Sequence, residues 1–383
     1  MNPINRRGVL RAGGLTAAAG LALSAGAPTG AAQAAASPGA RTRSFGEETK
    51  TLDELYQDAL TEGGGLVIYA GGDTSSQQDA VKSAFQTRFP GIDLKMIVDY
   101  SKFHDVRVDN QLATNTLVPD IVQLQTLHDF DRWKNQGILM PYKPAGYSAV
   151  HTAFRDPGCT WIAVQVIAFS FLYNVAGAGA QAPSTPADLV DPQWAGKIAS
   201  SYPHDDDAVL YLFSLYQEAY GWNWMSQFAA QQPQFARGTH TPGAAVTAGQ
   251  KVIGVGAAGT LTAPPTAPNR WVVANGHPFV AWGQRAAILN GAAHPAAAKL
   301  YMNWRLSPEH QATAFNGWSV RTDVTPPGNL PPVWTYTNAN VPGFASFMAD
   351  RAAAERWRQT FALYFGEVSG PPSPGWLGLH PGQ

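Results

Sequence analysis

The chain has 383 residues, 45% hydrophobic and only 14% charged, with 26 Lys and Arg against 27 Asp and Glu for a formal net charge of −1. That length is enough for two lobes with real cores. The near-neutral balance leaves no electrostatic footprint for nucleic acid or an anionic membrane, so neither is expected as a partner. Cys159 is the single cysteine, which excludes an intrachain disulfide.

Residues 1–36 read as a targeting segment. Asn5-Arg6-Arg7-Gly8-Val9-Leu10-Arg11 resembles the twin-arginine export motif, and Leu15–Ala27 is weakly apolar and rich in Ala and Gly. Ala32-Gln33-Ala34 and Ala34-Ala35-Ala36 are A-x-A-like cleavage sites. The apolar part is too short and too rich in small residues for a membrane span.

Beyond it, Thr51-x-x-Glu54 is a capping box ahead of a helix with Leu52, Leu55, Tyr56, Ala59 and Leu60 on one face. Gly63–Gly65 ends that helix, and Leu66–Ala70 reads as a buried strand. Ser76-x-x-Asp79 predicts the cap of a helix with Ala80, Val81, Ala84, Phe85 and Phe89 inward. Strands at Leu94–Val98 and Asp120–Leu124 flank a helix around His104–Thr114. Strands alternating with helices predict a parallel α/β sheet. Ligands of such sheets sit beyond the C-terminal strand ends, which selects Tyr69–Asp73, Tyr100–Lys102 and Gln125–Thr126.

Leu127–Gln136 reads as an amphipathic helix, and Trp161–Val166 and Phe169–Tyr173 as two extended runs. Thr185 and Pro186 open a short helix, a turn follows through Asp191, Pro192 and Gly196, and Lys197–Ser200 is a short strand. The polar loop Ser201–Asp206 then opens a long apolar helix over Asp207–Tyr220. Such a loop at a helix N-terminus presents unpaired N–H groups and makes a ligand floor. Further helices are predicted at Asn223–Ala230, Pro242–Gly249, Ala293–Ser307 and near Ala349–Phe365. Lys251–Gly256 is a buried strand running into the loop Ala257–Thr260, and Phe279–Trp282 is a short strand before Gly283-Gln284. The end of the chain is rich in Pro and Gly.

The succession of Phe169–Asn174 (FSFLYN), Pro183–Leu189 (PSTPADL) and Asp191–Ala199 (DPQWAGKIA) resembles the extracellular solute-binding proteins of ABC importers, in the branch of the ferric-ion and polyamine binders. His294–Lys299 with Leu306–Gln311 resembles that family's return helix, and Arg321-Thr322-Asp323-Val324 its R-x-D-V, so the resemblance covers about Gly65–Val324. It implies an α/β, two-lobe periplasmic-binding-protein type II fold, each lobe a mixed sheet flanked by helices. Residues 47–166 and 281–325 would form lobe 1, and 167–280 and 326–383 lobe 2 with a C-terminal helix packed on it. It also implies a non-enzymatic, cofactor-free monomer that captures a small solute and meets ABC permease subunits. No cysteine stands at the signal end, so a soluble periplasmic or secreted protein is expected rather than a lipoprotein.

In the ferric branch the metal is held by a His after the first strand, a Glu after the third and two adjacent Tyr in the second lobe, hard donors for a hard cation. The matching positions here are Asp73, Gln125 and Ala257-Ala258, so direct tight ferric binding is not expected. The candidate ligand-binding set is Tyr69, Gly72, Asp73, Ser101, Gln125, Thr126, His204, Asp205, Asp206, Ala257, Trp282 and Gln284, with no metal ligand and no catalytic residue. Asp206 and Asp207 have two readings: they cap the helix, or with Asp73 and Asp205 they face the ligand and favour a neutral or cationic one. No G-x-S-x-G, H-E-x-x-H, P-loop or C-x-x-C occurs. Cys159 sits in a Pro-Gly turn without a base beside it and reads as a bystander thiol; a cleft enzyme or a ligand sensor on the same fold is the alternative.

Overall fold

The computed structural model describes residues 46–313 and 317–370. Residues 1–36, expected to be a targeting segment, and the end of the Pro/Gly-rich tail lie outside the described residues. α1 (Leu52–Glu62) opens on the expected capping box, Thr51 and Glu54 each accepting the other's backbone N–H. β1 (Gly65–Gly71) lies parallel between β2 (Asp93–Asp99) and β3 (Ile121–Leu124). The returns run through α2 (Asp79–Arg88) and α3 (Ser101–Thr114), and α4 (Leu127–Asn135) follows β3. This is the parallel βαβ arrangement that the alternating pattern predicts.

β4 (Ile162–Asn174) is a single strand of 13 residues where the sequence reads as two runs. Its register shifts at Ala163/Gln165 and at Ser170/Phe171, so its continuity is one of pairing rather than of side-chain alternation. Then come α5 (Val175–Ala178), β5 (Ile198–Ser201), α6 (Asp207–Ala230), β6 (Gln234–Ala236), α7 (His240–Thr247), β7 (Ile253–Ala257), β8 (Asn269–Val272) and β9 (Val280–Ile288). The chain ends with α8 (Pro295–Arg305), α9 (Pro308–Gln311), α10 (Gly343–Ala349) and α11 (Arg351–Phe365).

The strand order is β2-β1-β3-β9-β4-β7-β5-β6, with β8 also on β4. β9 is antiparallel to both β3 and β4, pairing with Ile162–Phe169 of the latter. The remainder of β4 pairs with β7 and β8. β4 thus carries the chain from the first lobe's half of the sheet to the second's, where β5 runs parallel to β6 and β7.

One core gathers Ile68, Phe85, Phe89, Leu94, Leu300 and Tyr301, another Val209, Phe213, Phe228, Ile253 and Val255. The tail helices join the second through Phe344, Met348 and Phe361, whereas Val333, Ala339 and Val341 cluster with Trp318 and Phe279.

Three local expectations are corrected. Ser76 does not cap α2: the N-cap is Gln78, without a side-chain bond, and Gln77 turns back to accept the Asp73 N–H at 2.6 Å. The strand expected to stop at Trp282 continues to Ile288 because Gly283–Ala286 pair with β4 and Arg285–Ile288 with β3, and every one of its residues is buried. β6 and β8 are short strands that the pattern of side chains does not announce.

Candidate functional site

The loops after β1, β2 and β3 are pinned to one another before any ligand is considered. Gly71 and Gly72 are required by close approach: a Cβ on Gly71 would stand 2.1 Å from Ser101 Oγ, and one on Gly72 2.6 Å from Val98 Cγ1. Ser101 Oγ accepts the Gln125 N–H at 3.0 Å, and the Gly72 N–H donates to Asp99 O at 3.0 Å. These ties aim Asp73 out of the sheet end toward the second lobe.

Two bridges cross between the lobes there. The Asp73 carboxylate accepts from Thr239 N (2.8 Å), Thr239 Oγ1 (2.6 Å) and His240 N (3.1 Å), at the start of α7. Lys102 Nζ donates to Asp205 Oδ1 at 2.5 Å and to Asp205 O at 2.9 Å, while Arg237 Nε stands 3.5 Å from Asp205 Oδ2. A small cavity of about 50 Å³ lies beside these bridges, lined by Ser101, Lys102, Thr126, Asp205, Trp282 and Phe344 among others. A larger one of about 610 Å³ is walled by α2, the middle of β4, the start of α7, Ala257-Ala258 and the α8–α9 corner. Asp73, Gln125, Phe169 and Thr239 line both.

The sequence-selected residues fall into two groups. Asp73, Ser101, Gln125, Thr126, Asp205, Asp206, Ala257 and Trp282 line one cavity or both. Asp73, Gln125, Ala257 and Ala258, the positions matched to a ferric cage, come together around the larger one. Thr126 Oγ1 and Trp282 Nε1 are buried without a hydrogen-bond partner, so a polar solute in the small cavity would find free groups there.

Four selected residues face elsewhere. Tyr69 lies under α3, where its hydroxyl accepts from Gln111 Nε2 at 2.9 Å and its ring stacks on His104 with centroids 4.6 Å apart. Gly72 shapes the loop but lines neither cavity. His204 Nε2 lies 2.8 Å from Gly366 O, turned to the tail. Gln284 is fully buried, its Oε1 accepting from Gln123 Nε2 at 2.9 Å while the Tyr301 hydroxyl donates to Gln123 Oε1.

Of the two readings of the acidic loop, the structure has the capping one for Asp206 and leaves few carboxylates free to face a ligand. Asp206 caps α6, accepting from Ala208 N and Val209 N at 2.9 Å each. Burial, with Asp73 and Asp207 nearby, pushes its carboxyl up to about 7. Asp207 pairs with Arg358. Asp73 and Asp205 are engaged in the bridges, so the acidic loop is largely compensated by the protein itself.

Sequence reasoning missed Thr239, His240, Arg237 and Phe344, which converge on the cleft only because α6, α7 and α10 pack as they do. It also missed Arg305 and His310, although Arg305 carried a signal: it stands four residues after the inward Tyr301 and shares its helix face. Cys159 is buried, with Sγ 3.7 Å from Pro157 O, and lines neither cavity.

A model of the bacterial extracellular solute-binding protein family matches residues 118–348. The chain belongs to that family. Its members are binding proteins, as are the solved structures it resembles. With iron-bound HitA from Pseudomonas aeruginosa the identity is 17% and the TM-score 0.61, covering 78% of this chain and 99% of the other. AfuA from Actinobacillus pleuropneumoniae, solved with fructose-6-phosphate, gives 18% identity and a TM-score of 0.61 over 79% and 98%. The substrate-binding protein of an ABC transporter from Agrobacterium tumefaciens gives 16% and 0.64 over 79% and 94%. At these identities the likeness is one of fold. Among curated proteins none matches the chain. In this solute-binding protein no helix among the described residues is long and apolar enough to cross a membrane.

Proposed function

We propose that this solute-binding protein captures a small solute in the larger cavity between its lobes and delivers it to the permease of an ABC importer, without catalysis. The observation that carries the reading is the cavity of about 610 Å³ walled by both halves of the sheet, a volume ordinary for a small-molecule site. Lobe 1 is taken as 47–166 with 281–325 and lobe 2 as 167–280 with 326–383. The crossing strands β4 and β9 then serve as the hinge region, and the Asp73–Thr239 and Lys102–Asp205 bridges as the latch that forms on closure. Export by the Arg6-Arg7 signal would place the monomeric protein outside the cytoplasmic membrane, where an importer needs it.

The iron of HitA is not carried over to this chain. Asp73, Gln125, Ala257 and Ala258 supply a single carboxylate where a ferric ion asks for several hard anionic donors. Among the described residues no group of three His, Cys, Asp or Glu is placed to hold a metal. Cys159, buried away from both cavities, gives an enzymatic reading no nucleophile.

Native mass spectrometry of the protein purified from its own host, followed by a thermal-shift titration of whatever co-purifies, tests the proposal. A retained solute that binds stoichiometrically and emerges unchanged is expected. Turnover of that solute, or its survival at full affinity after Ala257→Trp fills the cavity, would refute the reading.

A further inference from the structure

Arg305 closes α8 at the α8–α9 corner and lines the larger cavity while only 1% exposed. Among the described residues no carboxylate pairs with it. Its Nη2 donates to Gln165 Oε1 at 3.1 Å and its Nη1 to His310 Nε2 at 3.0 Å, and its Nε is buried with no partner. Two of its donors are therefore spent on neutral acceptors, and the Nε–H and the remaining hydrogens of the fork are left. An ionised group taken out of water without a counter-ion costs several kcal/mol, and burial indeed draws this guanidinium below the usual arginine value.

His310 adds no second charge. Because its Nε2 accepts from Arg305, its proton sits on Nδ1, and burial together with the adjacent guanidinium holds it neutral, its pKa lowered to about 3. Gln165 and His310 thus fix the orientation of the cation without cancelling it. Elsewhere, apart from Asp73 and the exposed His240, the lining of this cavity carries no ionisable side chain: it has glutamines at 77, 78 and 125 and an apolar wall including Val81, Ala84, Ile167 and Phe169. Asp73 already accepts three hydrogen bonds across the cleft.

We infer that the Arg305 guanidinium is an anion-binding subsite at one end of the larger cavity, and that the solute is a small organic anion whose carboxylate, phosphate or sulfonate group meets it there. A guanidinium offers such groups paired, charge-assisted hydrogen bonds, and an arriving anion supplies the counter-charge that the fold withholds. The remainder of the solute lies along the apolar wall toward Gln125. This rests on the reading of the cavity as the solute site and reverses the charge preference expected from the acidic loop.

The test is calorimetry and thermal shift on the mature protein, stripped of co-purifying solute, with acetate, glutarate, methanesulfonate, inorganic phosphate and glycerol phosphate. Glutaramide, glucose and putrescine are the uncharged and cationic comparators. At least one anion is expected to bind, with glutaramide silent, and Arg305→Gln is expected to weaken that anion by about tenfold or more, the size of one lost charge-assisted hydrogen bond. Should Arg305→Gln fold poorly, Gln165→Glu decides: it gives the guanidinium an internal carboxylate, so ligand-free thermal stability rises while the anion is lost. A purely structural Arg305 would change stability and leave anion affinity alone, which overturns the inference. Binding of glucose, glutaramide or putrescine in preference to every anion also overturns it and leaves the solute-binding reading standing. Binding of nothing, with nothing co-purified, brings down both.

Discussion

The carboxylate of Asp73 accepts three hydrogen bonds from Thr239 and His240, so the charge it presents to the cleft is already compensated. Beside it, Ala257 and Ala258 offer no ligating atom and Gln125 no charge. Ferric citrate added at stoichiometric iron is therefore expected to give no tyrosinate-to-metal colour, and a visible charge-transfer band would refute this geometry. His104 makes a second residue-scale prediction. It is fully buried beside Arg107, with Nε2 3.1 Å from Ile97 O. Burial first, and the Arg107 charge second, lower its pKa from 6.5 to about 3. The unfolded chain takes up this proton as pH falls below 6.5 and the folded chain does not, so the stability contributed is complete above 6.5 and is lost down to about 3. Within that window the slope is about 1.4 kcal/mol per pH unit for this group. Denaturant titrations at pH 7 and pH 5 should show the loss, and His104→Gln should reduce the difference by this residue's share, leaving that of His310, whose pKa is lowered alike.

At the scale of elements, α6 is where sequence and structure agree most closely. A helix ending at Tyr220 and another starting at Asn223 were expected, and Gly221 interrupts the element with φ 78° and ψ 176°. That conformation belongs to glycine. A Cβ there would meet no atom within 4 Å, so the objection to any other residue is conformational rather than steric. The break lets Trp222 stack on Tyr364 (5.6 Å) while Trp224 stacks on Phe228 in the core. Gly221→Ala is expected to cost about 1–3 kcal/mol, read as a lowered denaturant midpoint at unchanged m-value. No loss would mean that the helix straightens freely. Capping shows the opposite outcome. Thr51-x-x-Glu54 forms its box, but Ser76-x-x-Asp79 does not: the Asp79 N–H donates to the Ser76 backbone carbonyl at 3.0 Å and not to its hydroxyl. A local motif holds only where no other acceptor takes the same donor.

For the whole molecule, the order of elements was legible well before the packing. Helix–strand alternation gave the parallel β1–β3 half, and the strand-end rule selected Asp73, Ser101 and Gln125, which do meet at one place. Tyr69 was misplaced by the same rule, since alternate side chains of a strand point to opposite faces and the rule does not say which face a helix covers. Export is the remaining prediction at this scale. Replacing Arg6-Arg7 by Lys-Lys should leave the precursor inside the cell, and normal secretion of that variant would refute the twin-arginine assignment.

What the sequence determined by itself is what depends on neighbours along the chain: caps, glycine breaks, burial patterns, and the loops that end parallel strands. What tertiary structure alone decided is what depends on pairs far apart in number. The Asp73–Thr239 bridge spans 166 residues, the Lys102–Asp205 bridge 103, and the Gln165–Arg305 contact 140. Composition cannot reveal whether a carboxylate will be met by a helix terminus or an arginine left without a counter-ion. Those outcomes follow from how distant parts of the chain pack against each other, and in this protein they decide the charge of the cleft.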